Sequence, residues 1–119
     1  MTSINDLVGK TFISVKQFTD DSCGDELIFE TETEKFIFYH EFRCCENVFL
    51  EDITGDLNDL VGVPLLLAEE RSEDGKYQYG TCTWTFYEFR TVKGSVTVRW
   101  FGESNGYYSE SVDFRKEEK

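Results

Sequence analysis

Apolar and polar residues alternate with a period of two along most of this chain, a pattern that predicts strands rather than helices. Thr11–Phe18 reads as a first strand, with Ile13 and Val15 on one face. Glu26–Thr31 and Lys35–Phe42 read as a hairpin around the polar turn Glu32-Thr33-Glu34. On the second of these strands Phe36, Phe38, His40 and Phe42 share a face, so His40 continues an aromatic row. Val48–Ile53 is a shorter strand. Asp56–Val61 carries the one helix signal: Asp56 suits an N-cap, and Leu57, Leu60 and Val61 fall at helical spacing. Gly62 and then Pro64, the only proline, stop it. Leu65–Ala68 resumes extended structure toward Glu69-Glu70-Arg71, and Ser72–Gly75 reads as a loop because Glu73-Asp74-Gly75 carries turn chemistry.

The C-terminal third predicts an antiparallel meander of Thr83–Thr91, Ser95–Gly102 and Tyr107–Phe114. A Lys93-Gly94 loop would set Phe89 opposite Val98, Tyr87 opposite Trp100 and Glu88 opposite Arg99. A three-residue turn, Ser104-Asn105-Gly106, would set Val98 opposite Val112 and Val96 opposite Phe114; a two-residue turn would put polar side chains against apolar ones. Trp84, Phe86 and Phe101 then occupy the face opposite to Tyr87, Phe89 and Val98. Both faces hold large aromatics. Either another layer covers each face, or one stays exposed as a partner surface. The expected fold is mainly β, at the margin of α+β. It is a single compact antiparallel sheet, roll or barrel-like domain with one short helix, and one domain over residues 1–119.

Composition supports a packed core. The chain has 119 residues, of which 16% are aromatic, with eleven Phe, six Tyr and two Trp. That supply of large apolar area argues against disorder. Charge adds a second theme. The net charge is −12, and residues 1–60 hold fourteen acidic and four basic side chains against ten and eight in residues 61–119. Such a field repels phosphate backbones, so direct nucleic-acid binding is not expected, and it steers basic partners toward the N-terminal half. The start of the chain lacks a basic, apolar leader, and no apolar run is long enough to cross a bilayer. The expectation is a cytoplasmic protein with no membrane partner, its four cysteines (Cys23, Cys44, Cys45 and Cys82) reduced.

Chemistry could sit at His40-Glu41-Phe42-Arg43-Cys44-Cys45-Glu46, where the only histidine precedes paired cysteines. His40, Cys44 and Cys45, joined by Cys82, offer nitrogen and thiolate ligands of the kind zinc takes. The spacing argues against a metal, because adjacent cysteines on an extended segment point in opposite directions. The alternative use of these residues is as buried core. A thiolate–imidazole pair oriented by Glu46 or Asp52 has only proximity in its favour. Glu46, Glu51, Asp52, Asp56 and Asp59 form one acidic cluster, and Asp20, Asp21, Asp25 and Glu26 another; neither has the ordered ligand pattern of a calcium loop. No catalytic residues, no resident metal and no cofactor are expected.

Several stretches occur in order along the chain. They are Phe38-Tyr39-His40 running into Cys44-Cys45-Glu46, then Glu51-Asp52-Ile53, Gly55-Asp56-Leu57 and Leu67-Ala68-Glu69-Glu70. Thr83-Trp84-Thr85-Phe86-Tyr87, Lys93-Gly94-Ser95-Val96-Thr97 and Gly102-Glu103-Ser104-Asn105-Gly106-Tyr107-Tyr108-Ser109-Glu110 follow. Together they resemble a family of short uncharacterised proteins encoded by bacteriophages and some bacteria. The resemblance implies a phage or prophage origin and an intracellular protein, in the host cytoplasm if phage-encoded. It implies no activity.

The expected function is therefore non-enzymatic: a phage or prophage accessory protein that binds a protein partner carrying basic groups. Its contact residues are expected among Asp20, Asp21, Asp25, Glu26, Glu46, Glu51 and Asp52, with Trp84, Phe86 and Phe101. The alternative is a small-ligand or metal-binding domain centred on His40, Cys44 and Cys45. Oligomeric state is not legible in the sequence.

Overall fold

Eight strands build two four-stranded antiparallel sheets in a computed structural model that describes residues 3–20, 24–42, 46–77 and 80–119. In chain order the strands are β1 (Ser14–Asp20), β2 (Gly24–Glu30), β3 (Glu34–Tyr39), β4 (Asn47–Thr54), β5 (Leu67–Tyr77), β6 (Gly80–Thr91), β7 (Gly94–Ser104) and β8 (Asp113–Glu118). The first sheet runs β1-β2-β3-β8 and the second β4-β7-β6-β5. Neither closes into a barrel. In the second sheet β5, β6 and β7 follow one another, and β4 reaches β5 by a long connection yet pairs with β7, which is a Greek key.

The alternation of the sequence is what lets the sheets face each other. Leu27, Phe29, Phe36 and Phe38 of the first sheet and Tyr87, Phe89, Val96, Val98 and Trp100 of the second point between them and are buried. Aromatic rings join the two layers. Phe38 lies 4.7 Å from Tyr87 and 5.8 Å from Phe89, and Phe29 lies 4.9 Å from Phe89. Tilted and edge-on contacts at these spacings add to the apolar area each ring removes from water. Phe12 and Leu65 close one end, where Thr11 bridges Pro64.

The helix signal at Asp56–Val61 yields a single 3₁₀ turn, Leu57–Leu60, capped by the Asp56 carboxylate on the Asn58 N–H. A second 3₁₀ turn, Ile4–Leu7, begins with a reciprocal cap between Ser3 and Asp6. The first strand begins at Ser14 rather than Thr11, and Ile13 is exposed while Val15 is buried. The strand expected over Lys35–Phe42 ends at Tyr39. His40 still points inward, and Phe42 is exposed.

Three local expectations are corrected. Ser72–Gly75 is not a loop: it lies inside β5, paired residue by residue with β6 from Ser72–Thr85 to Gly75–Cys82. Gly75 serves close packing there, since a Cβ on it would meet Cys82 Sγ at 2.9 Å and the Trp84 ring at 3.1 Å. The β6–β7 turn is Val92-Lys93, one position earlier than expected, so Tyr87 faces Val98, Glu88 faces Thr97 and Arg99 faces Phe86. Thr91 fixes this turn by accepting from the Lys93 N–H and donating to the Asp59 carbonyl. Gly94 opens β7 with the Asp59 carboxylate close by, 2.9 Å from where a Cβ would lie. The two-residue slip preserves the faces, as the pleat requires.

The third correction has the largest consequence. Tyr107–Phe114 does not pair with β7, whose two edges are already taken by β6 and β4. Val98 therefore faces Ile53 and Tyr87, not Val112, and Val96 does not meet Phe114. Residues 105–112 instead form a strap that crosses β7 at Gly102, where a Cβ would lie 2.5 Å from the Glu110 carbonyl oxygen. The Glu110 carboxylate accepts hydrogen bonds from Thr81, Thr83 and Ser104, fastening the strap. Beyond it β8 joins β3, and Phe114 packs 4.5 Å from Phe38.

That return of the C-terminus redistributes charge. Lys116 reaches Glu34 at 3.5 Å and Lys119 reaches Glu30 at 3.0 Å, and Lys10 also pairs with Glu34. The Lys119 and Lys10 hydrogen bonds hold the Glu30 and Glu34 carboxyls below the ordinary value. At Glu110 burial works against ionisation, and the three hydroxyls outweigh it, so this carboxyl is also lowered. Carboxyls lowered by folding stabilise the fold above their unfolded value of 4.5 and lose that contribution as pH falls through the folded values. Thermal unfolding followed by circular dichroism should therefore show a midpoint that drops as pH is lowered below 4.5. A midpoint that rises there would contradict the assignment.

Candidate functional site

The outward face of the second sheet gathers side chains from all four of its strands. Register sets Phe49 beside Phe101, Phe101 beside Trp84 and Trp84 beside Glu73, one row across β4, β7, β6 and β5. Ring centroids are 5.7 Å apart for Phe49 and Phe101 and 5.4 Å apart for Trp84 and Phe101. The next row holds Asp52, Arg99, Phe86 and Arg71. All four rings are partly exposed. A bulge between Leu50 and Asp52 brings Glu51 onto Arg99, which donates to it through Nε. Arg71 lies over the Phe86 ring, 6.0 Å from its centroid. Arg90 pairs with Glu88 at 3.0 Å. A depression of 430 Å³ lined by Arg71, Ser72, Glu73 and Phe86 opens at the β5 side of this face.

Of the contact residues expected from sequence, Glu51, Asp52, Trp84, Phe86 and Phe101 come together here. The rest do not join them. Asp25 ties the two sheets: one oxygen accepts from the Thr19 hydroxyl and the other from the Leu50 N–H at 2.8 Å. Glu26 lies on the outward face of the first sheet, opposite Phe18. Glu46 is 3% exposed and belongs to the interior. Asp21 and the Asp20 side chain lie outside the described residues. The expected acidic contact set thus divides between two sheets and the core, because β2 and β4 belong to different layers.

Phe49, Glu73 and Glu103 are the residues sequence reasoning missed. Phe49 sits within the predicted strand Val48–Ile53, but only the β4–β7 pairing sets it beside Phe101. Glu73 was masked by its turn-like neighbours Asp74 and Gly75.

The second candidate, around His40, is an internal tie. His40 Nδ1 is 2.8 Å from the Ser111 carbonyl oxygen and Nε2 is 3.0 Å from Glu46 Oε2. A carbonyl only accepts, so Nδ1 is the donor to Ser111, and Nε2 is hydrogen-bonded to Glu46. Both ring nitrogens are therefore engaged by partners within the fold. Cys44, Cys45 and Cys23 lie outside the described residues. Cys82 has a free thiol and is buried beside Gly75 and Trp84 on the outward side of β6, whereas His40 points between the sheets. Among the described residues no group of three or more His, Cys, Asp or Glu side chains could hold a metal ion.

No helix among the described residues is long and apolar enough to cross a membrane. No curated protein and no solved structure gives a significant match to the chain. Residues 5–114 match the family described as domain of unknown function DUF7448, and the chain belongs to that family.

Proposed function

We propose that this DUF7448 member is a non-enzymatic binding protein that docks a basic protein partner on the outward face of its second sheet. One observation carries the reading: Phe49, Phe101, Trp84 and Phe86 form a partly exposed aromatic surface on a face that also bears Glu51, Asp52, Glu69, Glu73, Glu88 and Glu103. Clustered apolar surface rimmed by charge is the usual form of a protein contact site, with aromatics supplying the anchors. The overall charge of −12 supports a basic partner and argues against nucleic acid. The resemblance to phage-encoded proteins supports an accessory role in the cytoplasm of an infected or lysogenic host.

The test is affinity capture from infected or lysogenic cells with mass spectrometry, comparing the wild type with Trp84→Ser/Phe101→Ser. The expected result is a partner retained by the wild type, lost from a variant that keeps its circular dichroism spectrum, and weakened as salt rises. Charges on this face act over about 8 Å at physiological ionic strength, so salt reads them directly. Identical co-purifying proteins for both forms would overturn the reading.

A further inference from the structure

We infer that the partner engages this face through arginine side chains, whose guanidinium planes stack on Trp84 and Phe101 between Glu73 and Glu103. The inference rests on the binding function proposed above and names the chemistry of its partner.

The protein already displays such a contact on the same face. Arg71 of β5 lies over Phe86 of β6, its guanidinium carbon 6.0 Å from the ring centroid. One row along, Trp84 and Phe101 are paired at 5.4 Å. Trp84 leans over Gly75, whose missing side chain leaves the space that the six-membered ring occupies, 3.1 Å from the position a Cβ would take. The indole thus reaches along the sheet over Gly75, and it remains partly exposed beside Phe101.

Glu73 and Glu103 lie on either side of the two rings. Glu73 follows Trp84 in its row, and Glu103 of β7 lies opposite Cys82 in the row beyond. Arg99 is engaged by Glu51 and Arg90 by Glu88. Among the described residues no cation is paired with Glu73, Glu103 or Glu69. A planar, weakly hydrated guanidinium can satisfy ring and carboxylate together, with its face on the indole and its edge N–H groups on the acid. A lysine ammonium is a compact, strongly hydrated charge and gains less from the same surface.

The test uses the full chain and two synthetic peptides of equal length and charge. One alternates arginine with serine and the other alternates lysine with serine. Binding is followed by the indole N–H resonances in NMR titrations. Trp84 should shift and Trp100, which is 1% exposed, should not. The arginine peptide should bind about three- to tenfold more tightly than the lysine peptide, the size of one or two aromatic–cation contacts. Trp84→Leu should remove that preference, and Glu73→Gln/Glu103→Gln should weaken the arginine peptide and flatten its salt dependence. Equal affinity for the two peptides, an unchanged preference in Trp84→Leu, or tighter binding of a single-stranded oligonucleotide would overturn the inference. If capture from cells still depends on Trp84 and Phe101 while the peptides bind equally, only the arginine chemistry fails. If capture does not depend on this face, the binding function itself fails.

Discussion

Phe38→Ala should remove about 3–5 kcal/mol of stability, a large fraction of what a domain of this size has. Phe38 is fully buried and touches four rings, Phe29 at 5.8 Å, Tyr87 at 4.7 Å, Phe89 at 5.8 Å and Phe114 at 4.5 Å. Those partners lie on β2, β6 and β8, so the ring couples both sheets and the returning C-terminal strand. Truncating a buried Phe to Ala costs about 3–5 kcal/mol through lost transfer energy and an unfilled cavity. A domain of this size has a total stability of about 5–15 kcal/mol. Denaturant unfolding read by circular dichroism should show this loss, while Phe38→Leu, which fills more of the space, should retain a folded domain. A cost below about 1 kcal/mol for the Ala variant would show that the sheets do not meet through this ring.

The strands were legible because alternation reports which side of a sheet is buried, and it reported the faces correctly even where the register was wrong. Tyr87 and Trp84 stand on opposite sides of β6 whether the turn is Lys93-Gly94 or Val92-Lys93, since the two registers differ by an even number. What alternation cannot report is which strand lies beside which. Tyr107–Phe114 follows β7 in sequence, and nothing in its own residues says that β4 already holds that edge. The reason lies some fifty residues upstream, in the pairing of Val48–Ile53 with β7. Gly75 misled for a related reason. Glycine marks both turns and close packing, and only the Trp84 ring above it distinguishes the two.

The candidate site was legible to the same extent. Trp84, Phe86 and Phe101 could be placed on one face from a single hairpin. The acidic residues could not, because their clustering in sequence spans β1 to β4 and those strands belong to two layers. The chain's charge asymmetry, ten excess negative charges in residues 1–60, is kept in the fold: the returning segment brings Arg115, Lys116 and Lys119 to the first sheet together with Asp113, Glu117 and Glu118, which adds ion pairs there but no net positive charge. The carboxylates that share a face with the Trp84 and Phe101 rings belong to the second sheet, and these include Glu73 and Glu103 from the less acidic half of the sequence.

His40→Ala and Glu46→Ala should each cost about 3–5 kcal/mol, because each leaves a buried polar group without the partner it has now. The His40 and Glu46 side chains are 5% and 0% exposed and meet at 3.0 Å. His40 Nδ1 also holds the Ser111 carbonyl, so the imidazole links the end of β3, the approach to β4 and the strap that leads into β8. Loss of the ring should therefore loosen the strap as well as lower stability. Amide hydrogen exchange should accelerate over Ser109–Val112 in His40→Ala before it does so in β6 or β7. Glu46→Gln keeps an amide facing Nε2 and should cost less than half as much as Glu46→Ala. The double variant should lose less than the sum of the two single ones, since neither polar group is then left alone in the interior. Strictly additive losses, or unchanged exchange in the strap, would mean that the pair merely occupies the core and does not fasten it.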